Sequence, residues 1–418
     1  MSRNEIDTRI QAAIEDRKKR WADFYDPNNP PRHMLLIRLT ENTPARPLPH
    51  PDKKQQRIEW AWMQYLAQMK RVTWLDDDTM PHLDVYTGTE IFAEVFGCSV
   101  HRPEDNMPFA LPLITEASQV STLHVPDLDV PCLKLLFEIA DELRARGGPN
   151  AVLKMVDVQS PMGIAALIWE KTSFYAAMVD QPEAVKELAA KVKGLLVAFL
   201  DEWVVRYGVD FVAHCPDYYM PKGITLSEDE IGSVGPGAYY DLFHTELVEL
   251  SRRYGGIGIH CCANAKHQWE GLKRIPDLRL LNLVQPPDIL REAYLYFASH
   301  VPQMHSWCGD GDPMGWIAQL PKESRVVLQV SADSKKQAID LSSRLREIIK
   351  GTNDITIPSR RGERAARLMG HVLPRCAAIY HRKAYFSRDR NAPIVFDISI
   401  ELRLPGAGYK LYHRLCAG

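Results

Sequence analysis

Pro236-Gly-Ala-Tyr-Tyr-Asp-Leu-Phe-His-Thr-Glu-Leu-Val-Glu-Leu-Ser-Arg-Arg-Tyr-Gly-Gly-Ile-Gly-Ile-His-Cys-Cys262 contains, in order, a helix, a stop and a buried strand. Pro236 opens a segment of helical spacing, and Gly255-Gly256 ends it. The apolar run Gly256–His260 then reads as a strand covered on both faces, because its apolar residues do not alternate with polar ones. The same rhythm extends in both directions. Further apolar runs lie at Met34–Leu39, Val72–Leu75, Val152–Val158, Asp210–Ala213, Leu278–Val284, Gln303–Trp307 and Arg325–Val330. Helix-start signals stand between them: Pro182-Glu183 for a segment to about Tyr207, Pro287-Asp288 to about His300, Asp312-Pro313 to about Leu320, and Asp333 to about Lys350. Eight such units without hairpin turns predict an α/β fold with a parallel sheet, closed as a (β/α)8 TIM barrel. An open doubly wound sheet has less support, since no G-x-G-x-x-G follows the first strand.

Residues 1–31 read as an N-terminal helical extension and 32–350 as the barrel. The stretch 81–149 is too long for one loop and is expected to be an insertion holding extra helices or a lid. Residues 351–418 read as a divergent C-terminal extension with 12 Lys/Arg against 5 Asp/Glu. Its bland reading is a solvated or subunit-contacting tail, and its sharper one is polyanion contact.

Of the 418 residues, 45% are hydrophobic and 25% charged, as in a soluble globular enzyme. With 51 Lys/Arg against 53 Asp/Glu, the net charge of −2 gives no electrostatic reason for nucleic acid or an anionic membrane as main partner. No apolar run approaches the ~18–20 residues of a membrane helix, and Met1–Trp21 has no signal-peptide core. Eight Cys are too few for a disulfide scaffold. The expected location is therefore the cytoplasm, with thiols reduced and a homodimer left open.

In a barrel, chemistry sits on the loops at the C-terminal ends of the strands. Those ends carry Arg38, Asp76-Asp77-Asp78, Gln159-Ser160, His214-Cys215-Pro216-Asp217, His260-Cys261-Cys262, Gln285, Cys308-Gly309-Asp310 and Ser331. Nearly all can ionise, hydrogen-bond or bind metal. Within an extended segment alternate residues face one way, so His260 and Cys262 can present imidazole and thiolate to one point. A borderline-soft ion such as Zn²⁺ takes such N and S ligands, and catalytic zinc keeps three protein ligands and one open position. Cys308 is the expected third ligand, with His214 or Cys215 as alternatives. The plain alternative is a buried structural thiol. Arg38, after the four apolar residues Met34–Ile37, suits an anion or an internal ion pair. Cys98, Cys132, Cys376 and Cys416 have no partner at ligand spacing. Gly232–Gly237 lacks the Walker Lys, and no G-x-S-x-G is present.

Taken together, Val158-Gln-Ser-Pro-Met-Gly-Ile-Ala-Ala-Leu, Asp180-Gln-Pro-Glu-Ala-Val, Tyr207-Gly-Val-Asp-Phe, Leu226-Ser-Glu-Asp, Gly256-Ile-Gly-Ile-His-Cys-Cys and Gly309-Asp-Gly-Asp-Pro313 resemble the uroporphyrinogen decarboxylase superfamily over roughly residues 30–350. The resemblance implies a (β/α)8 barrel and one of two chemistries. The decarboxylases work without metal, through an Arg-rich loop after the first strand and an Asp after the second. Arg38 and Asp78 resemble those positions, but the pattern Arg-Gln-Ala-Gly-Arg is absent. The other branch holds zinc methyltransferases that move a methyl group between a corrinoid protein and a thiol, and their H-x-C motif is matched by His260 and Cys262. Their third ligand sits in a Pro-Gly-Cys-Gly loop that this chain lacks, so Cys308 or Cys376 would have to substitute.

The resemblance thus implies a zinc-dependent, methyltransferase-like enzyme with metal ligands His260, Cys262 and Cys308. A corrinoid, on a partner protein, or a small-molecule methyl donor would be co-substrate. Asp78, His214 and Asp217 would handle protons, and Arg38, Asp77, Gln159 and Gln285 would bind substrate. The rivals are a cofactor-free decarboxylase of a tetrapyrrole or polycarboxylate, and a non-catalytic barrel that binds a corrinoid or partner protein.

Overall fold

The apolar runs form the strands of two mainly parallel sheets, with one exception. The structure is a computed structural model describing residues 3–41, 43–306 and 313–354. Helix α1 (Arg3–Tyr25) precedes β1 (Met34–Leu39); α2 (Lys54–Arg71) leads to β2 (His82–Asp84), α3 (Pro131–Gly147) to β3 (Val152–Lys154), and α4 (Pro182–Tyr207) to β4 (Phe211–Val212). Then come β5 (Ile224–Ser227), α5 (Thr245–Tyr254), β6 (Ile257–Cys261), β7 (Leu278–Leu283), α6 (Pro287–Phe297), β8 (Gln303–Ser306), β9 (Val326–Ala332) and α7 (Lys335–Asp354).

One sheet runs β1-β9-β8-β7-β6-β5, parallel throughout. The other runs β2-β3-β4 in parallel and ends on Tyr219–Met220, antiparallel to β4. Hydrogen bonds connect the sheets at both edges. Beyond β3, Ser227 N donates to Val158 O (2.9 Å) and Ser160 N to Ser227 O (2.8 Å), tying that segment to β5. Before β2, Asp78 N donates to Leu35 O at 2.6 Å, tying that segment to β1.

The helices follow from their apolar stripes. In α4 the buried positions Val185, Leu188, Val192, Leu195, Phe199 and Trp203 recur every three or four residues, on one face. Gly208 ends α4 at φ 94°. Gly255 (φ 73°) and Gly256 (φ 135°) end α5 in backbone that L side chains avoid. A Cβ on Gly256 would also meet Arg279 at 2.5 Å.

The exception concerns the second strand. Val72–Leu75 is a turn closing α2, with Val72 N and Leu75 N bonded back to Gln68 O and Arg71 O. The strand is His82–Asp84, inside the stretch read as an insertion. Consequently Asp76, Asp77 and Asp78 precede β2 rather than follow it. A second difference is β5, a strand of four residues that the apolar-run reading passes over.

This corrects the expectation for Asp77 and Asp78. Asp78 Oδ2 accepts from Leu35 N (2.7 Å) and Asp77 Oδ2 from Ile37 N (3.1 Å), so both carboxylates hold the backbone of β1 from the side. Around them stand Arg17 (3.4 Å from Asp77), Arg20 (3.1 Å from Asp78) and Arg346 (2.9 Å from Asp78). Asp78 is 0% exposed. The aspartates thus fasten α1 and α7 to β1, and this accounts for their burial without substrate. Cys308, Cys376 and the basic segment 355–418 lie outside the described residues.

Candidate active site

Parallel strands end together, so the residues just beyond β2, β3, β4, β5, β6 and β7 gather at one end of the fold. His260, the fourth residue of β6, is the centre of that group. Its Nδ1 lies 2.5 Å from Asn282 Oδ1 on the neighbouring β7, and Asn282 Nδ2 donates to Met304 O on β8 at 2.9 Å. The second bond orients the amide so that its oxygen faces the imidazole. Nδ1 must then carry the hydrogen, which leaves the lone pair on Nε2. Nε2 lies 2.9 Å from Cys262 Sγ and 3.7 Å from Cys215 Sγ. Imidazole and thiol converge as the alternation of an extended segment requires, while Cys261 is fully buried with its Sγ 3.5 Å from Ala263 O. Burial and the charge of Asp229 push the Cys262 thiol up to about 11; burial and Asp157 push Cys215 up to about 12.

A polar chain adjoins this pair. His214 Nε2 lies 3.1 Å from Ser227 Oγ and 3.3 Å from Asp157 Oδ1, and Gln159 Nε2 donates to the same Asp157 oxygen at 2.6 Å. Burial pushes Asp157 up to about 6 and His214 down to about 3, so near neutral pH the aspartate is mostly ionised and the imidazole uncharged. Glu228, buried just after β5, is pushed up to about 8 by burial and so holds a proton at pH 7.

An ion-pair group completes the site. Lys154 Nζ is 2.6 Å from Asp217 and 3.9 Å from Asp84, and Arg46 is 3.2 Å from Asp84. Burial alone would raise Asp217, but Lys154, then His82 and Arg46, hold it down to about 2. The Arg46 guanidinium lies over the Tyr86 ring at 4.1 Å.

The structure thus brings together His214, Asp217, Gln159, His260 and Cys262. Gln285 clasps the loop after β6 through Cys262 O (3.3 Å) and Ala263 O (2.7 Å). Arg38 is exposed near the end of β1 and has no ion-pair partner among the described residues. Asp77 and Asp78 lie elsewhere, as described. The reading from sequence passed over Lys154, Asp157 and Asn282. Each is a polar residue within an otherwise apolar run, the cue that singled out Arg38. Zinc suits the N and S donors His260 and Cys262 present, and Nε2 has its lone pair available. However, among the described residues no three His, Cys, Asp or Glu side chains already stand as a metal-holding group. No helix among them is long and apolar enough to cross a membrane.

Residues 85–277 match the family model for uroporphyrinogen decarboxylase (URO-D). No curated protein matches the chain. Among solved structures, a methyltransferase from Methanosarcina mazei is similar over 83% of this chain and 98% of its own, with a TM-score of 0.53 and 10% identity. That likeness is one of fold.

Proposed function

We propose, from the match of residues 85–277 to the uroporphyrinogen decarboxylase family model, that this chain belongs to that superfamily and is a methyltransferase-like enzyme working at His260 and Cys262. Its two linked sheets support reading the fold as one closed (β/α)8 barrel with this site at the C-terminal mouth. The convergence of His260 Nε2 and Cys262 Sγ at 2.9 Å carries the proposal. These two residues and a third donor would hold Zn²⁺. When bound, zinc supplies a Lewis acid that lowers the pKa of a substrate thiol and presents it as nucleophile.

The methyl group would come from, or pass to, a corrinoid on a partner protein. A methylcorrinoid would supply an electrophilic methyl group and keep the electron pair of the bond it gives up, while the proton of an accepting thiol would pass to a base of this chain. Asp157 is the proton acceptor in this reading, with His214 and Gln159 holding its Oδ1. Asn282 orients the His260 ring, and the Lys154–Asp217 pair fixes the loop after β4. Arg38 would bind an anionic group of the substrate. The decarboxylase alternative needs Asp78 in the mouth, and its place beside β1 favours the methyltransferase reading.

The test is zinc analysis of the purified protein together with transfer from methylcobalamin to a small thiol. His260→Ala and Cys262→Ala should each remove bound zinc and lower transfer by about 10²–10³-fold, the scale of losing a main electrostatic contributor. Wild-type protein free of zinc, or releasing CO₂ from uroporphyrinogen in the presence of chelator, would overturn it.

A further inference from the structure

We infer that α2, the loop after β2 and the start of α3 enclose a second binding site, a cavity for a short-chain carboxylate such as acetate, held by Arg57 and Glu90. The cavity measures about 110 Å³, well above the ~10–15 Å³ that one water requires. Its polar lining comes from separate elements: Arg57 from α2, Thr87 and Glu90 from the loop after β2, and Arg102 further along the chain. Arg57 is 7% and Glu90 3% exposed. Arg57 Nε, Arg102 Nε and Glu90 Oε2 are buried with no hydrogen-bond partner among the described residues. Buried polar groups are otherwise nearly always paired, so three such atoms around one cavity point to a ligand.

The chemistry of the lining selects a carboxylate. Arg57 donates Nη2 to Val85 O (3.0 Å) and Tyr86 O (2.7 Å) and forms no ion pair among the described residues. Asp84, whose charge reaches it, is already paired with Arg46 (3.2 Å) and Lys154 (3.9 Å). The guanidinium is therefore a buried charge that lacks its own counter-ion. Thr87 Oγ1 accepts from Asp157 N (3.0 Å), which leaves its own hydrogen to donate. Glu90 faces Glu94 and Arg102, which pair with each other at 2.7 Å, and Asp157 beyond Thr87. Burial holds the Glu90 proton to about pH 7, so this carboxyl is a donor too. Burial lowers the His50 imidazole, between Pro49 and Pro51 of the lining, so it stays uncharged near pH 7. A guanidinium, a hydroxyl and a protonated carboxyl match a ligand with two acceptor oxygens and one negative charge. Ile91, Leu135 and Leu136 give its alkyl end an apolar wall, and the Cys132 thiol, pushed up to about 11, stays neutral. Gly88 makes the room, because a Cβ there would collide with Glu90 Oε2.

Full-length protein titrated with ¹³C-acetate at constant ionic strength tests this, independently of the zinc reading. Thermal melting of each variant checks that it folds. Wild type should bind one acetate, about 8-fold more weakly at pH 8 than at pH 6.5, as the protonated fraction of Glu90 falls. Glu90→Gln, which donates at every pH, should bind equally at both. Arg57→Met should abolish binding. Gly88→Ala, at a residue outside the left-handed region, should push the carboxyl into the cavity and weaken binding at least about tenfold. Inorganic phosphate should not displace acetate. The assignment is overturned if wild type shows no saturable acetate binding, or if binding survives both Arg57→Met and Gly88→Ala. Displacement by phosphate, or a pH dependence kept in Glu90→Gln, would overturn it as well.

Discussion

His260 shows how much one side chain's chemistry depends on its neighbour. Asn282, only 2% exposed, accepts at one end from the imidazole and donates at the other to a strand carbonyl. Asn282→Leu keeps the volume and removes both bonds. Nitrogen-15 spectra of labelled histidine should show His260 as the Nδ1–H tautomer in wild type and a mixture of tautomers in the variant. Leaving two buried polar groups unpaired should also cost about 1–3 kcal/mol for each in urea unfolding. Unchanged ring shifts would show that Asn282 does not set the tautomer.

At the scale of elements, the aspartate run decides how α1 and α7 meet the sheet. Asp78 takes one backbone N–H and two guanidinium charges; the latter are contacts of charge rather than aligned hydrogen bonds. Removing a buried partner from such a group costs about 3–5 kcal/mol. Asp78→Ala should therefore lower stability by that order in urea while leaving the His260 tautomer as in wild type. A stable variant with a disturbed His260 signal would return Asp78 to the site. The run had read as the end of a strand because Val72–Leu75 is apolar and aspartates commonly follow strands. Yet α2 continues to Arg71, and the four residues after it only turn the chain. By contrast α4 begins and ends where its proline and glycine place it, since cap and stripe agree.

For the whole molecule, buried groups of opposite type set the pH range of stability. Burial pushes the Glu90 carboxyl up to about 7, against about 4.3 in an unfolded chain. Between those values the folded state keeps a proton that the unfolded state loses. Stability from this group is complete below about pH 4 and is lost as pH rises through 7, by at most about 1.4 kcal/mol per pH unit. Burial holds His33 down to about 4, so its contribution is complete above about pH 6.5 and is lost as pH falls through 4. Above about pH 6.5, where His33 no longer contributes, urea midpoints should fall with rising pH; Glu228, pushed up to about 8, adds to this decline, and Glu90→Gln should make it shallower between pH 6.5 and 7. An unchanged alkaline slope in the variant would remove Glu90 from this account.

Local pattern alone determined the parallel α/β architecture, most helix limits, and the convergence of residues 260 and 262. Periodicity, proline, glycine and strand alternation act over a few residues and are written directly in the chain. Tertiary structure decided which distant residues meet: Lys154 with Asp217, His260 with Asn282 and Cys215, Asp78 with Arg20 and Arg346. Such pairs are selected by the desolvation cost of leaving a polar group alone in the interior. That cost depends on what the fold brings within hydrogen-bonding reach, so no local spacing in the sequence records it.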